Sequence, residues 1–240
     1  MRRFSSIHGV QQILRAAGLE SHRARQYSIH DETVIVVDIT GDAQRMWRSA
    51  RAGLGDHYPV LANPSFLVTD PVFHHAVAPG ELIAQAADFD VEDFLTRQPG
   101  SQMPGSRGRD PEILGTGDEG YNLDCYDVAS FGEPEALIIV PRPEPWAAFA
   151  YLDGYAALMG QNSAVSTAAA RRWYDRYGAI PVVIGLATAF EVSRPPTDPA
   201  DAERLAAEHV GIAGLTAGTS VRAYARALTQ LDHWTLYDRP

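Results

Sequence analysis

The chain has 240 residues, of which 45% are hydrophobic and 21% charged, and 30 acidic against 20 basic residues give a formal net charge of −10. These values are typical of a soluble globular protein with one large domain or two small ones. All 20 basic residues are arginine, because the sequence contains no lysine. The missing lysine excludes a pyridoxal-phosphate Schiff base, a Walker A phosphate loop and the ATP-binding lysine of protein kinases.

Cysteine and hydropathy patterns bound the cellular location. Cys125 is the single cysteine, so an internal disulfide, a redox pair and a cysteine-rich zinc site are excluded. No run approaches the roughly 18 apolar residues of a membrane helix, and the stretch Ile7–Leu19 is interrupted by polar residues. We therefore expect a cytoplasmic protein that does not bind membranes.

The first predicted elements lie in the N-terminal third. Residues 1–30 are basic and weakly patterned, and we expect them to form an appendage with one short helix around Val10–Ala17. The apolar run Val34–Ile39 predicts a buried strand. Asp42 is placed to cap a following helix whose apolar stripe extends to Leu54.

The remaining regular elements predict a mixed sheet. Strands are expected at Pro59–Leu61, Phe66–Val68, Ala136–Val140, Val182–Gly185, Ala187–Ser193 and Trp234–Tyr237. Helices are expected at Glu81–Ala87 and Val91–Thr96, from Asn162 or Ser166 to Tyr177 with Gly178 as its end, from Asp198, and over Val221–Leu231. The two strands around Leu186 are close enough to form a hairpin. The predicted fold is α/β or α+β, a single domain over residues 31–240 with a mixed β-sheet covered by helices.

One long segment departs from this regularity. Residues 98–121 contain six glycines and three prolines with few large apolar side chains. We expect an inserted, flexible loop that proteases cut first.

Histidines and carboxylates cluster once in the sequence. Asp70, His74, His75 and Glu81 lie close together, and His74 and His75 are candidate catalytic residues. Adjacent histidines on a strand point to opposite faces, so they converge on a metal only if the chain turns there. We expect no bound metal.

The loop and the residues after it carry an acidic run. Its members are Glu112, Asp118, Glu119, Asp124 and Asp127. Asp118, Asp124 and Asp127 are candidates for acid–base chemistry, while a solvated acidic loop is the alternative. The same stretch spells G-x-G-x-x-G at residues 115–120, but it lacks a flanking strand and helix and contains two acids, so no nucleotide cofactor is expected.

Arginines recur on the polar side of the helix after Asp42. Arg45, Arg48 and Arg51 form a local basic stripe that suits a phosphate or an acidic partner. The alternative is a solvated face paired with nearby acids. The overall charge of −10 argues against nucleic-acid binding, because phosphate contacts dominate that affinity.

The C-terminal half contains a series of motifs that occur in this order: Ile139–Pro141, Pro145-Trp146, Asn162, Arg172–Ala179, Val192–Pro196, and Trp234 with Asp238. This series gives the chain a resemblance to a bacterial family called "domain of unknown function 4253". It covers roughly Ala136 to Pro240, with a weaker likeness at Trp47 and Tyr58–Leu61. Many relatives carry Cys-Pro-Asp and Gln-Gly-Thr-Gly segments before the last helix, where this chain has Val210–Gly218. The resemblance implies a fold but no activity.

Two functions remain open at this point. The first is a non-catalytic protein-binding module, of an immunity or regulator kind, that binds a basic partner protein because the chain is acidic. The second is a small hydrolase or transferase that uses the acidic-loop carboxylates with His74 or His75.

Overall fold

The computed structural model describes residues 7–62, 77–97, 136–152, 163–185, 187–213 and 221–237. Within these ranges the chain forms one seven-stranded mixed sheet with helices packed against it. This architecture confirms the predicted α/β class and the mixed sheet.

The elements have the following bounds. The strands are β1 (Ala24–Ile29), β2 (Glu32–Asp38), β3 (Tyr58–Ala62), β4 (Ala136–Val140), β5 (Ile180–Ile184), β6 (Ala187–Glu191) and β7 (His233–Tyr237). The α-helices are α1 (Ile7–Ala16), α2 (Ala43–Gly53), α3 (Pro79–Asp88), α4 (Val91–Arg97), α5 (Ser163–Tyr177), α6 (Pro199–Ala213) and α7 (Val221–Leu228), and a 3₁₀ helix covers Pro145–Tyr151.

The strand order is β1-β2-β4-β3-β5-β6-β7. Neighbouring strands are antiparallel except β3 and β5, which are parallel with Leu61 opposite Val183. The three central strands β4, β3 and β5 are buried at every position. Because successive side chains point to opposite faces, helices and loops must cover both faces of this central part.

The predicted hairpin between β5 and β6 is confirmed. The two strands pair antiparallel from Ile180 opposite Glu191, with a register shift between Pro181 and Val183. β6 also pairs with β7. Glu191 is the last residue of β6, so Glu191 and the residues that follow it lie at one end of the sheet.

Helix α2 forms as its sequence pattern predicts. The Asp42 carboxylate accepts a hydrogen bond from the Arg45 backbone N–H at 2.9 Å, and the helix buries Met46, Trp47 and Ala50. The Trp47 indole N–H donates to the Pro59 carbonyl at 2.8 Å. This bond holds α2 against β3 and fixes which helix face remains exposed.

The described part of the N-terminal segment belongs to the sheet. No strand was predicted there, yet β1 pairs with β2 from Ala24 opposite Val37 to Ile29 opposite Glu32. The end of α1 also packs closely on the end of α2, since a Cβ on Gly53 would lie 1.8 Å from the Ala16 carbonyl oxygen. The expected appendage therefore supplies an edge strand and a tight helix contact.

Helix α5 begins earlier than one of its two expected caps. It starts at Ser163, so Ser166 is a fully buried residue inside the helix, and the prediction that Ser166 caps it is wrong. Its end is as predicted: Gly178 has a φ of +60°, the left-handed region that glycine favours. A Cβ at Gly178 would lie 2.0 Å from the Ser193 hydroxyl oxygen. The end of α5 is therefore in close contact with the segment that follows β6.

An aromatic cluster fills the core beneath α5. The Trp173 ring meets Phe190, His209 and Trp234 edge-on, with centroids 5.6, 4.7 and 6.5 Å away. Trp173 and Tyr177 are both buried, which confirms their prediction as core residues. The predicted strand Phe66–Val68, the loop 98–121 and the alternative cap Asn162 lie outside the described residues.

Candidate binding site

The arginine stripe of α2 converges on one carboxylate. Arg45, Arg48 and Arg51 are all exposed. Arg51 Nη1 lies 3.4 Å from Glu191 Oε2, and Arg48 Nη2 lies 3.9 Å from Glu191 Oε1. The Arg51 guanidinium also lies 5.3 Å from the centroid of the Trp47 ring, within cation–π range. In the described part of the chain, Arg45 forms no ion pair.

Arg51 and Glu191 border an open groove of about 520 Å³. The groove lies where the end of α2, the last turn of α5 and the end of β6 meet. Ile180 and Val192 are buried and form its apolar floor. The other residues that line it are Tyr174, Asp175, Gly178, Ser193 and Arg194. We call these nine residues the groove.

Tyr174 projects from the wall of the groove. Its exposed fraction is 36%, and it is the exposed large hydrophobic side chain among the described residues. The preceding residue, Trp173, is fully buried. The same turn of α5 therefore places one aromatic side chain in the core and another at the surface. Tyrosine and arginine are the residue types that most often dominate the energy of protein interfaces.

Arg194 fixes the groove wall to the end of α5. Its Nη2 donates to the carbonyl oxygens of Tyr174 and Asp175 at 3.1 and 2.9 Å, and its backbone N–H donates to the Tyr177 carbonyl at 2.9 Å. A cation at a helix C-terminus also interacts favourably with the helix dipole. The groove is therefore shaped before any ligand arrives.

Tyr58 lies beside the groove and donates its hydroxyl proton to the Pro181 carbonyl at 2.7 Å. Burial raises the pKa of Tyr58 above its usual range, an effect that Arg51 partly offsets and that Glu191 reinforces. The phenol therefore stays protonated at neutral pH. The titratable groups that line the groove are the carboxylates of Asp175 and Glu191, the phenol of Tyr174 and two guanidinium groups.

A second polar cluster surrounds Glu208 of α6, which is buried. Its Oε1 accepts from Arg172 Nε and Nη2 at 3.1 and 2.9 Å and from Arg176 Nη1 at 3.3 Å. Its Oε2 accepts from the Trp173 indole N–H at 3.1 Å. Arg176 also binds Asp201. Because the carboxylate is fully occupied by donors, it ties α5 to α6 and is not available to a ligand.

His209, the next residue, is buried among aromatic rings. Its Nδ1 lies 2.7 Å from the Tyr224 hydroxyl, and its ring centroid lies 4.8 Å from that of Trp234. Burial lowers the pKa of His209 to about 3, so the ring is neutral. His209 Nε2 and Trp234 Nε1 are buried and have no hydrogen-bond partner among the residues that the structure describes. No sequence signal distinguished this histidine, since it lies in an ordinary helical pattern.

A third cluster joins β2 to the 3₁₀ helix. Arg142 Nη2 lies 2.5 Å from Glu32 Oε1, and the Tyr151 hydroxyl donates to Glu32 Oε2. Burial and the neighbouring Glu32 carboxylate raise the pKa of Tyr151. The first turn of α3 closes over this pair, since a Cβ on Gly80 would lie 3.8 Å from both Arg142 and Glu32. Sequence analysis did not select any of these residues.

Most of the predicted catalytic candidates lie outside the described residues. They are His74, His75, Asp118, Asp124 and Asp127, together with Asp70, Glu112, Glu119 and the glycine motif at 115–120. Glu81 is described: it lies exposed in the first turn of α3, where Gln85 Nε2 is 3.4 Å from its Oε1.

Within the described ranges, no group of three histidine, cysteine or acidic residues is arranged to hold a metal ion. Among the helices of those ranges, none has both the length and the apolar character needed to cross a membrane.

Residues 136–238 match the model of a family described as "Domain of unknown function (DUF4253)". This match runs from β4 to β7 and confirms the family resemblance of the C-terminal part. Tyr174, Glu191 and Arg194 lie inside the matched region, whereas Arg51 precedes it. The family description names no activity. No curated protein and no solved structure matches the chain.

Proposed function

We propose that this chain, whose residues 136–238 match a family model described as a domain of unknown function, is a non-catalytic protein-binding module that receives its partner at the groove. The observation that carries the proposal is the exposed Tyr174 side chain, placed beside Arg51 and Arg194 above a buried apolar floor.

The composition of the groove favours a protein partner. Interfaces are enriched in tyrosine and arginine at their centres, where large contact area is combined with hydrogen bonding. The exposed ring of Tyr174 supplies the apolar area, and two guanidinium groups supply the donors. The buried side chains of Ile180 and Val192 give a partner side chain an apolar surface to cover.

The rigidity of the site favours binding as well. Arg194 is held by two carbonyls of α5, and Arg51 is held against the Trp47 ring. A site ordered beforehand loses less conformational entropy when its partner binds.

The acidic character of the chain bears on the class of partner. At a formal net charge of −10, long-range repulsion opposes nucleic acid, whose affinity depends on phosphate contacts. A protein partner does not carry the uniform negative charge of a nucleic acid, so this repulsion is smaller for it and can be offset at the binding surface.

A site-specific crosslink tests the proposal. A photoreactive benzoylphenylalanine would replace Tyr174 in the full chain, expressed in its native host, and would replace Glu203 in a matched control. Glu203 is exposed on α6 and is not part of the groove. We expect one discrete crosslinked protein from position 174, its yield falling about tenfold when Arg51→Ala is added.

The Arg51→Ala variant distinguishes specific from nonspecific crosslinking, because a protein that is only nearby by chance would crosslink whether or not the arginine is present. Equal crosslinking from positions 174 and 203, or no crosslinked protein from position 174, would refute a partner at the groove.

A further inference from the structure

We infer that the groove recognises an acidic segment of the partner protein, and that Glu191 occupies the arginines in the free protein until a partner carboxylate replaces it. This inference rests on the proposed function and specifies the chemistry of its partner. The overall charge points to a basic partner, but the local charge at this surface is opposite.

The ion pairs of Glu191 are loose. Arg51 and Arg48 approach its carboxylate only to 3.4 and 3.9 Å. Two part-buried arginine–carboxylate pairs are closer, Arg25–Asp38 at 2.6 Å and Arg142–Glu32 at 2.5 Å, whereas the exposed pair Arg171–Asp175 is as long as those of Glu191, at 3.8 Å. A well-formed charge-assisted hydrogen bond measures about 2.7–2.9 Å. Glu191 therefore screens the two guanidinium groups, but it accepts only one long hydrogen bond, from Arg51 Nη1 at 3.4 Å.

The arginines are accessible to a second carboxylate. The side chains of Arg48 and Arg51 are 62% and 45% exposed. Each guanidinium has five N–H donors in a fixed planar fork, and one shared carboxylate cannot occupy them. Arg45, one turn earlier on the same helix, is exposed and pairs with no described carboxylate.

The groove and the arginine stripe together carry a small positive excess. The nine groove residues balance, with Arg51 and Arg194 against Asp175 and Glu191. Arg45 and Arg48 of the stripe add two positive charges, and Asp42 at the start of α2 adds one negative charge. The local excess of positive charge on an acidic protein is complementary to an acidic segment, and complementary charge steers association and fixes orientation.

Tyr174 adds an apolar contact beside the arginines. An acidic segment with an apolar or aromatic residue can place its carboxylates on the α2 stripe and its apolar side chain against Tyr174. A free inorganic anion would use only the arginines, so the two kinds of ligand depend differently on Tyr174.

Fluorescence anisotropy with labelled peptides tests the inference on the purified full chain. The probes are octaglutamate, octaglutamine and octalysine, and an octaglutamate that carries one additional tryptophan. We expect octaglutamate to bind at least tenfold more tightly than octaglutamine, because only the former pairs with the arginines. The tryptophan should improve binding further, and Tyr174→Ala should abolish that improvement alone.

Two charge variants identify the site. Arg48→Ala with Arg51→Ala should weaken octaglutamate binding about tenfold, whereas Arg23→Ala, at an exposed arginine just before β1 that does not line the groove, should leave it unchanged. Glu191→Gln should tighten binding about two- to fivefold, because it removes the competing carboxylate and keeps the side-chain shape. Glu203→Gln removes the same charge from α6 and should have no comparable effect, which separates competition from net charge.

Three results would overturn the inference: octaglutamate binding no tighter than octaglutamine, binding that Arg48→Ala and Arg51→Ala do not weaken, or equal effects of Glu191→Gln and Glu203→Gln. Tighter binding of octalysine would assign the groove to a basic partner instead.

A crosslink from position 174 combined with no octaglutamate binding would support the proposed protein binding and refute only the acidic partner. Octaglutamate binding without any crosslinked protein would refute the proposed function.

Discussion

The Trp173 indole donates its N–H to a carboxylate oxygen of the buried Glu208, 3.1 Å away, and so connects the aromatic core to a buried ion network. Trp173 and its neighbour Arg172 both bind the same carboxylate, one from the core side and one from the solvent side. Glu208 of α6 therefore fixes how deeply α5 is buried and which face of α5 points to the core. The last turn of α5 forms a wall of the groove.

Replacing Trp173 with alanine should cost about 3–5 kcal/mol of unfolding free energy, because the ring is fully buried and packs against three aromatic residues. The adjacent Tyr174→Ala is the matched control and should change stability by less than about 0.5 kcal/mol. Urea unfolding followed by circular dichroism measures both. A loss below about 1 kcal/mol for Trp173→Ala would contradict its role in the core.

Glu208→Gln should destabilise the protein by about 1–3 kcal/mol, since it removes the charge that two partly buried arginines share. The cost stays moderate because Arg172 and Arg176 keep Glu92 and Asp201 as second partners. Glu203→Gln, on the exposed face of the same helix, should be nearly neutral. Equal unfolding curves for the two variants would show that the buried network contributes nothing to stability.

His209 should make the stability fall as the solution becomes acidic. Burial lowers its pKa from 6.5 to about 3 in the folded protein, so between these values the unfolded chain binds a proton that the native protein does not. The free energy of unfolding should therefore decrease by up to about 1.4 kcal/mol per pH unit below pH 6.5 from this group. Above pH 6.5 its contribution is constant.

The variant His209→Asn isolates that effect. Asparagine can still bond to the Tyr224 hydroxyl but does not titrate, so the variant should lose this part of the slope between pH 6.5 and 4. Carboxylates that remain in both proteins cancel in the difference. Parallel stability curves for wild type and variant across this pH range would argue against a buried, neutral His209.

Gly53 and Gly55 form a natural pair for testing the contact between α1 and α2. A Cβ at Gly53 would lie 1.8 Å from the Ala16 carbonyl oxygen, whereas a Cβ at Gly55 would meet no atom within 4 Å. Gly53→Ala should therefore cost at least about 1–3 kcal/mol, and Gly55→Ala should be close to neutral. Differential scanning calorimetry compares the two melting temperatures. Similar values would mean that the N-terminal segment does not pack as described.

Local sequence patterns predicted the elements that have a clear capping residue or a clear separation of polar and apolar positions. Helix α2 has a capping Asp42 and one continuous apolar stripe, and both act as expected. Strand β1 escaped prediction because Arg25, Gln26 and Ser28 interrupt its pattern, as is common for an exposed edge. The 3₁₀ helix is buried at all positions but its first, so no polar period marks it. Ser166 was misplaced for a similar reason, because small residues cover every face of the first turns of α5.

The groove was predictable only in part. Arg48 and Arg51 could be selected because three arginines recur at helical spacing on an acidic protein. Their partner Glu191 could not, since it is 140 residues from Arg51 and reaches it only through the pairing of β5 with β3. Tyr174 and Arg194 lie in motifs that carry the family resemblance, but the sequence does not show that they share a surface until the end of α5 is placed against β6. Long-range packing, which no local pattern encodes, creates this site.

The position of β3 shows that the residues matched by the family model are not a complete folding unit by themselves. β4 and β5, both inside residues 136–238, are not neighbours, because β3 from outside that region lies between them and bonds to each. A polypeptide restricted to the matched residues would therefore leave β4 without either neighbour, since β2 also lies outside the match, and would leave one edge of β5 unpaired. Such interior edges pair readily with other chains, so the excised fragment should aggregate, whereas the same residues supplied with β1, β2 and β3 should not. The residues that define the family thus depend on an earlier part of this chain for a complete core.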